Sequence, residues 1–227
     1  MTPDQILEQC RDLSSQPLGA VAERWKATHP GGRAVAAYPV WAPAEIIHAA
    51  GMLPLALLGG GTSVELTHAD ARFQSFVCSV AKSSLELGFQ GIVKGVDGFV
   101  FSNICDVARN LSSIWKRNFP DAFIEYLHLP QNSTSPSVPV YAANELRRLA
   151  AAFEQAFGLK VTEPALAKSI EIYNAFRARL RALYAFRIAE PQNTIHAVQR
   201  DEAHAETVRR RELTRRLQVL SGVNLFA

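Results

Sequence analysis

The chain has 227 residues, 48% of them hydrophobic and 20% charged, which is long enough for a real core and too apolar for wholesale disorder. Its net charge is a modest +3, and no apolar run reaches the roughly 18–20 residues needed to cross a bilayer. The start, MTPDQILEQC, lacks the basic and apolar stretches of a signal peptide, so a cytoplasmic protein with no membrane partner is expected.

Residues 3–16 predict an amphipathic helix, because Ile6, Leu7, Cys10 and Leu13 fall on one stripe. Cys10 is read as a small buried residue of that stripe. The N-terminal helical segment is assigned to 1–33, and an α/β domain to 34–130. Within that domain AVAAYPV reads as a short strand. PAEIIHAA reads as a helix, with Pro43 near its start and Gly51 at its end. MLPLALLG is a second buried strand, closed by Gly59-Gly60-Gly61. That triplet matches neither GxGxxG nor a P-loop and reads as a plain turn.

CSVAKSSLELG then reads as a helix, DGFVFS as a strand, CDVARNLSSIWKRNF as a helix and FIEYLHLP as a strand. Short apolar strands separated by helices imply a parallel sheet with helices on its faces, a Rossmann-like α/β arrangement. Strands near 53–58, 98–102 and 123–128 are expected to be parallel and adjacent in one sheet. Residues 131–140, QNSTSPSVPV, are polar with two prolines and read as a linker. The remainder, 141–227, is a helical segment, with helices near 141–157, 163–189 and 200–220. Thr162 is placed to cap the second, Pro164 is tolerated in its first turn, and Pro191 stops it.

Charge is unevenly spread. Residues 1–162 hold 13 Lys/Arg against 14 Asp/Glu, whereas 163–227 hold 11 against 7. Arg209, Arg210, Arg211, Arg215 and Arg216 sit on one predicted helix, and at about 100° per residue they cannot all share a face. A solvated face, contact with ligand phosphates and a docking surface are the readings that fit. No aromatic residues interleave with the arginines from Arg209 to Arg216, which argues against a nucleic-acid partner.

The three cysteines, Cys10, Cys78 and Cys105, form no CxxC, and an odd, small number argues against a disulfide scaffold. Any metal site must be assembled by the fold from distant segments. Ligands of a parallel α/β sheet sit beyond the carboxyl ends of its strands. Cys105 falls there, between the strand DGFVFS and the helix that follows, and Cys78 opens a helix after ARFQSFV. Helix N-termini carry unpaired N–H groups and a partial positive charge that favour thiolates, the metal-binding form. Cys78 and Cys105 are therefore candidate metal ligands, with structural burial as the competing reading. Asp106 fits as an N-terminal helix charge, and Arg109 and Asn110 face either a site or solvent. His48, inside an apolar helix, reads as a satisfied core histidine. GxSxG and HExxH are absent.

Several runs carry a likeness in the same order. YPVWAPAEIIHAAGMLPLALLGGG resembles the opening of the benzoyl-CoA reductase and 2-hydroxyacyl-CoA dehydratase family. ADARFQSFVCSVAKSSLELG and DGFVFSNICDVARNLSSIW look like its first and second cluster-cysteine segments, YLHLPQN like the strand and turn after them, and LAKSIEIYNAFRARLRALYAFR like its SIxxYNxxR helix. The wording around both cysteines is most similar to the C-type subunits of benzoyl-CoA reductases.

The resemblance implies a two-subunit core in which a [4Fe–4S] cluster is held by three cysteines, with Cys78 and Cys105 matching two of them. It implies a homologous iron–sulfur subunit as partner, an aromatic acyl-CoA substrate near the clusters, and separate ATP-hydrolysing activator subunits that feed single electrons. The expected activity is ATP-dependent reduction of benzoyl-CoA to a cyclic dienoyl-CoA. A 2-hydroxyacyl-CoA dehydratase subunit and a non-catalytic truncated or scaffold subunit are the alternatives. In the family the third ligand lies in a second α/β domain downstream, and SGVNLFA precedes the place where that domain should begin. Cys10 matches no family ligand, and the isolated chain is expected to be inactive.

Overall fold

The computed structural model describes residues 3–38, 41–61 and 64–189. The helix expected near 200–220, the stop at Pro191 and the arginines from Arg209 to Arg216 lie outside the described residues. The described residues divide into two compact units, one within Pro17–Ser169 and the other joining residues 3–16 to residues 170–189.

The larger unit is built on four strands: β1 (Ala34–Tyr38), β2 (Leu53–Ala56), β3 (Gly98–Ser102) and β4 (Phe123–Leu127). They lie in the order β2-β1-β3-β4, and every neighbouring pair is parallel. The expected parallel sheet is therefore present, with one correction. β2 and β3 are not adjacent, because β1 lies between them. β1 is small, apolar and mostly buried, as a central strand must be, whereas β2 is only partly covered. Pro54 lacks an N–H and suits an edge.

Alternation along the strands divides the core in two. Phe99 and Phe101 of β3 and Ala36 and Tyr38 of β1 enter one cluster; Val100 and Val35 enter the other. Helices α4 (Ser79–Phe89) and α5 (Asp106–Asn118) cover the first face. Trp115 of α5 is fully buried there, its ring 4.8 Å from Phe99 and 5.7 Å from Phe101. Helices α3 (Ala44–Ala49) and α6 (Val138–Phe157) cover the second face through Ile46, Ile47, Leu149 and Phe153. Pro43 and Gly51 bound α3 as expected, and Gly51, at φ +75°, takes a conformation that a side chain would strain. The turns of 131–137 run directly into α6 at Val138.

A helix that periodicity did not separate, α2 (Leu18–Thr28), packs Ala22 and Trp25 beside Ala34 and Leu53. Asp97 fastens this corner, accepting from Ala34 N at 2.7 Å and pairing with Lys26 at 2.8 Å and Arg33 at 3.0 Å. His48 is hydrogen-bonded as expected but only half-buried: Nδ1 lies 3.0 Å from Ser169 Oγ, which donates to the Glu45 carbonyl at 2.8 Å. Ala165 N donates to Thr162 Oγ1 at 3.4 Å, so Thr162 caps α7 (Glu163–Ala189) as expected.

The second unit contains α1 (Pro3–Ser15) and the later turns of α7. Here the expectation for Cys10 is corrected: it is exposed. Ile6 and Leu13 on its stripe are half-buried and Leu7 is exposed, so the described residues cover the stripe only partly.

Candidate functional site at the carboxyl edge of the sheet

From β1 the chain steps outward to β2, then returns to the other side of β1 to make β3. Connections on the two sides of the β1–β3 seam thus diverge, and such a switch point opens a crevice at the carboxyl ends of the strands. Tyr38 ends β1, opposite Phe101, and Asn103 begins the turn after β3. Three residues past β3, Cys105 is the N-cap of α5, and its Sγ accepts from Ala108 N at 3.4 Å. Cys78 holds the same position on α4 without a side-chain cap bond. All three cysteines are free and exposed.

One hydroxyl senses both candidates. Burial pushes the Tyr38 phenol well above its ordinary range, and the charges of Cys78 and then Cys105 push it further. Cys78 and Cys105 both belong to the larger unit, as N-caps of the two helices on one face of its sheet, whereas Cys10 belongs to the other compact unit. Tyr126, in β4, is raised by burial; Arg109 opposes the shift and Asp106 and Cys105 add to it.

A cleft of about 350 Å³ lies between Cys105, Asp106 and Arg109 on one side and Tyr126, His128 and Gln131 on the other, with Asn103 also lining it. Asp106 sits in the first turn of α5, as expected for a helix N-terminal charge, and Arg109 faces the cleft. Cys78 does not line it. Periodicity singled out neither Tyr38 nor Asn103. Gly59 and Gly60 lie in irregular backbone after β2, not in the expected turn; Gly59 takes φ +81°, and a Cβ there would meet Val80 and Ser83 of α4.

The two turns are held differently. Asn103 donates from Nδ2 to the Leu129 carbonyl at 2.7 Å and accepts from Leu129 N at 2.9 Å, tying the Cys105 turn to the exit of β4. Before Cys78, Glu86 of α4 accepts from the backbone N–H of His68 at 2.9 Å and of Ala69 at 2.8 Å, and its other oxygen lies 2.7 Å from His68 Nδ1. Lys82 pairs with Asp70 at 2.8 Å. The donor chemistry of two free thiols at helix N-caps suits a thiophilic metal or an iron–sulfur group. Among the described residues no group of three His, Cys, Asp or Glu side chains converges as a metal site. Among those same residues, no helix is long and apolar enough to cross a membrane.

The family model described as 2-hydroxyglutaryl-CoA dehydratase, D-component, matches residues 39–218. The chain is 40% identical over 191 residues to the C-type subunit of benzoyl-CoA reductase of Thauera aromatica, covering 84% of the chain and 50% of that relative. It is 32% identical to the beta subunit of lactoyl-CoA dehydratase of Anaerotignum propionicum, over 87% of the chain and 51% of the relative. It is 28% identical to the beta subunit of (R)-2-hydroxyglutaryl-CoA dehydratase of Acidaminococcus fermentans, over 80% of the chain and 47% of the relative. The chain thus spans about half the length of these relatives. It belongs to the 2-hydroxyglutaryl-CoA dehydratase D-component family.

Proposed function

We propose that this chain is part of an iron–sulfur subunit of a benzoyl-CoA reductase, with Cys78 and Cys105 as two ligands of a [4Fe–4S] cluster. The observation that carries the reading is two free thiols, each the N-cap of one of two helices packed on the same face of a parallel sheet with a switch point between β1 and β3. The choice of reductase follows the 40% identity to a benzoyl-CoA reductase subunit, against 32% and 28% to dehydratase subunits. The remaining ligand belongs to the second α/β domain that the resemblance implies.

When bound, the cluster supplies single electrons at low potential. The chain's own residues prepare the place. The two helix N-termini direct N–H groups and partial positive charge toward the thiolates. Tyr38, its pKa raised chiefly by burial, stays protonated through neutral pH at the carboxyl end of β1. Asn103 holds the Cys105 turn to β4. Arg109 and His128 give the neighbouring cleft cationic and hydrogen-bonding capacity for the polar end of a thioester. ATP is hydrolysed by activator subunits, and the core is completed by a homologous iron–sulfur subunit.

The test is anaerobic reconstitution of the chain together with its partner subunits, followed by iron and sulfide analysis and an assay with a reduced activator. Retained iron that falls at least about tenfold in Cys78→Ser and in Cys105→Ser supports the ligand assignment. Full iron in both variants overturns it. Turnover of benzoyl-CoA supports the reductase. Loss of water from a 2-hydroxyacyl-CoA supports the second reading, a dehydratase subunit, which the family description and the dehydratase relatives favour. An iron-free complex would mark a non-catalytic scaffold subunit.

A further inference from the structure

We propose that Glu86 and Lys82 are positioning residues for Cys78, fastening the loop that delivers this cysteine to the edge of the sheet. Its bearing on metal binding rests on the reading of Cys78 as a ligand; the fastening itself is a property of the chain alone. Cys78, Lys82 and Glu86 follow at four-residue spacing, so they run along one side of α4 and its cap. Every residue from Ala81 to Gly88 is buried, and two of these eight are charged. Burying a carboxylate and an ammonium in a helix is unfavourable unless specific partners receive them. Here the partners all lie in one place.

Between β2 and α4 the described residues contain no α-helix or strand, so no ladder holds that stretch. Glu86, with no exposed side-chain surface, takes the ring nitrogen and backbone N–H of His68 and the backbone N–H of Ala69. Lys82 reaches the Asp70 carboxylate at 2.8 Å and the Ser75 carbonyl at 3.3 Å. The fastened points are thus 68–70 and 75, the last only three residues before Cys78. Three of the five partner atoms are backbone, so the bonds specify the path of the chain. A helix needing only stability would carry apolar side chains at 82 and 86, as it does at Ala81, Leu85 and Leu87.

The experiment uses the full 227-residue chain, metal-free and reduced, with the variants Glu86→Gln, Lys82→Met and Asp70→Asn. Hydrogen exchange is read over residues 66–78 and over β3 and α5, and iodoacetamide alkylation is timed at Cys78 and Cys105 in the same sample. The expected result is faster exchange over 66–78 by at least roughly tenfold, with β3 and α5 unchanged. The ratio of the Cys78 and Cys105 alkylation rates shifts by more than about threefold, which general destabilisation would not produce because it acts on both thiols. Asp70 is largely exposed, so Asp70→Asn keeps the fold and decides the matter should the buried variants fail to fold. Parental exchange and a parental ratio in folded Asp70→Asn, or equal rises in both regions, overturn the proposal. Iron content of Cys78→Ser stays a separate measurement. Full iron there sinks the ligand reading while leaving the fastening intact.

Discussion

Cys105 and Cys78 open consecutive helices on the same face of the sheet, and they arrive by unlike routes. Cys105 stands three residues past β3, a strand buried at all five positions, so the ladder carries it most of the way. One side chain, Asn103, then pins the turn to Leu129. Cys78 ends a long irregular stretch after β2, and the bonds that hold it come from the helix it opens, through Lys82 and Glu86. Where a strand delivers a functional residue, backbone pairing sets its place. Where a loop delivers one, buried polar side chains take over that duty, because each unsatisfied partner would be costly.

Glu86→Ala probes the loop-held side most severely. It leaves the N–H of buried Ala69 without its acceptor and should cost about 2–4 kcal/mol in urea unfolding. A loss below about 0.5 kcal/mol would remove the contrast between the two routes.

Acid should expose the same dependence. Burial alone would raise the Glu86 carboxyl, but the bonds from His68 and Ala69 outweigh it and hold the group below the ordinary carboxylate range. A carboxyl lowered by folding contributes stability that is complete above its unfolded pKa and lost as pH falls through the folded one. Stability should therefore decline on acidification below the ordinary carboxylate range, and Glu86→Gln should flatten part of that decline. Asp97, lowered despite burial by Lys26, Ala34 and Arg33, contributes with the same sign and should remain in the Glu86→Gln profile. Urea midpoints measured from neutral pH downward decide this; parallel profiles for parent and variant would refute it.

On the strand-held side the effects should be smaller. Asn103→Ala removes two bonds to Leu129 and should cost about 1–2 kcal/mol, with faster exchange confined to the turns after β3 and β4. Spread of that exchange into 66–78 would show that the two turns are one cooperative unit. The least change is expected from Cys105→Ser, within about 0.5 kcal/mol of the parent in stability, because a serine hydroxyl can accept from Ala108 N where the sulfur now does. A larger loss would mean that the thiol itself packs the site.

Much of this layout is legible in the amino-acid order alone. Strand and helix positions from Ala34 to Leu127 follow from apolar runs, Pro43 and Gly51, and the same pattern places both candidate cysteines at helix starts. The stripe misplaces Cys10, because a helical stripe says which residues can be buried, not whether enough neighbouring surface covers them. Periodicity also leaves α2 unseparated. Its Gly19 has no room for a side chain against the Lys94 carbonyl, a requirement visible only once residues 75 positions apart are brought together. Nothing in the spacing of CSVAKSSLELG marks Lys82 and Glu86 as buried, yet α4 is buried on the sides that carry them.

The sequence by itself determined the local order of elements, the parallel class of the sheet, the cysteines at helix N-termini and the family, because each is written in short-range spacing or in contiguous motifs. Only the tertiary structure decided that β1 lies between β2 and β3, which puts the switch point beside Tyr38. It also decided that Glu86 meets His68 and Ala69 and that Asn103 meets Leu129, pairs separated by 17 to 26 residues. Periodicity records how each segment faces solvent, whereas the choice of partner for a buried polar group is settled by which distant backbone atoms the packed layers leave within hydrogen-bond reach.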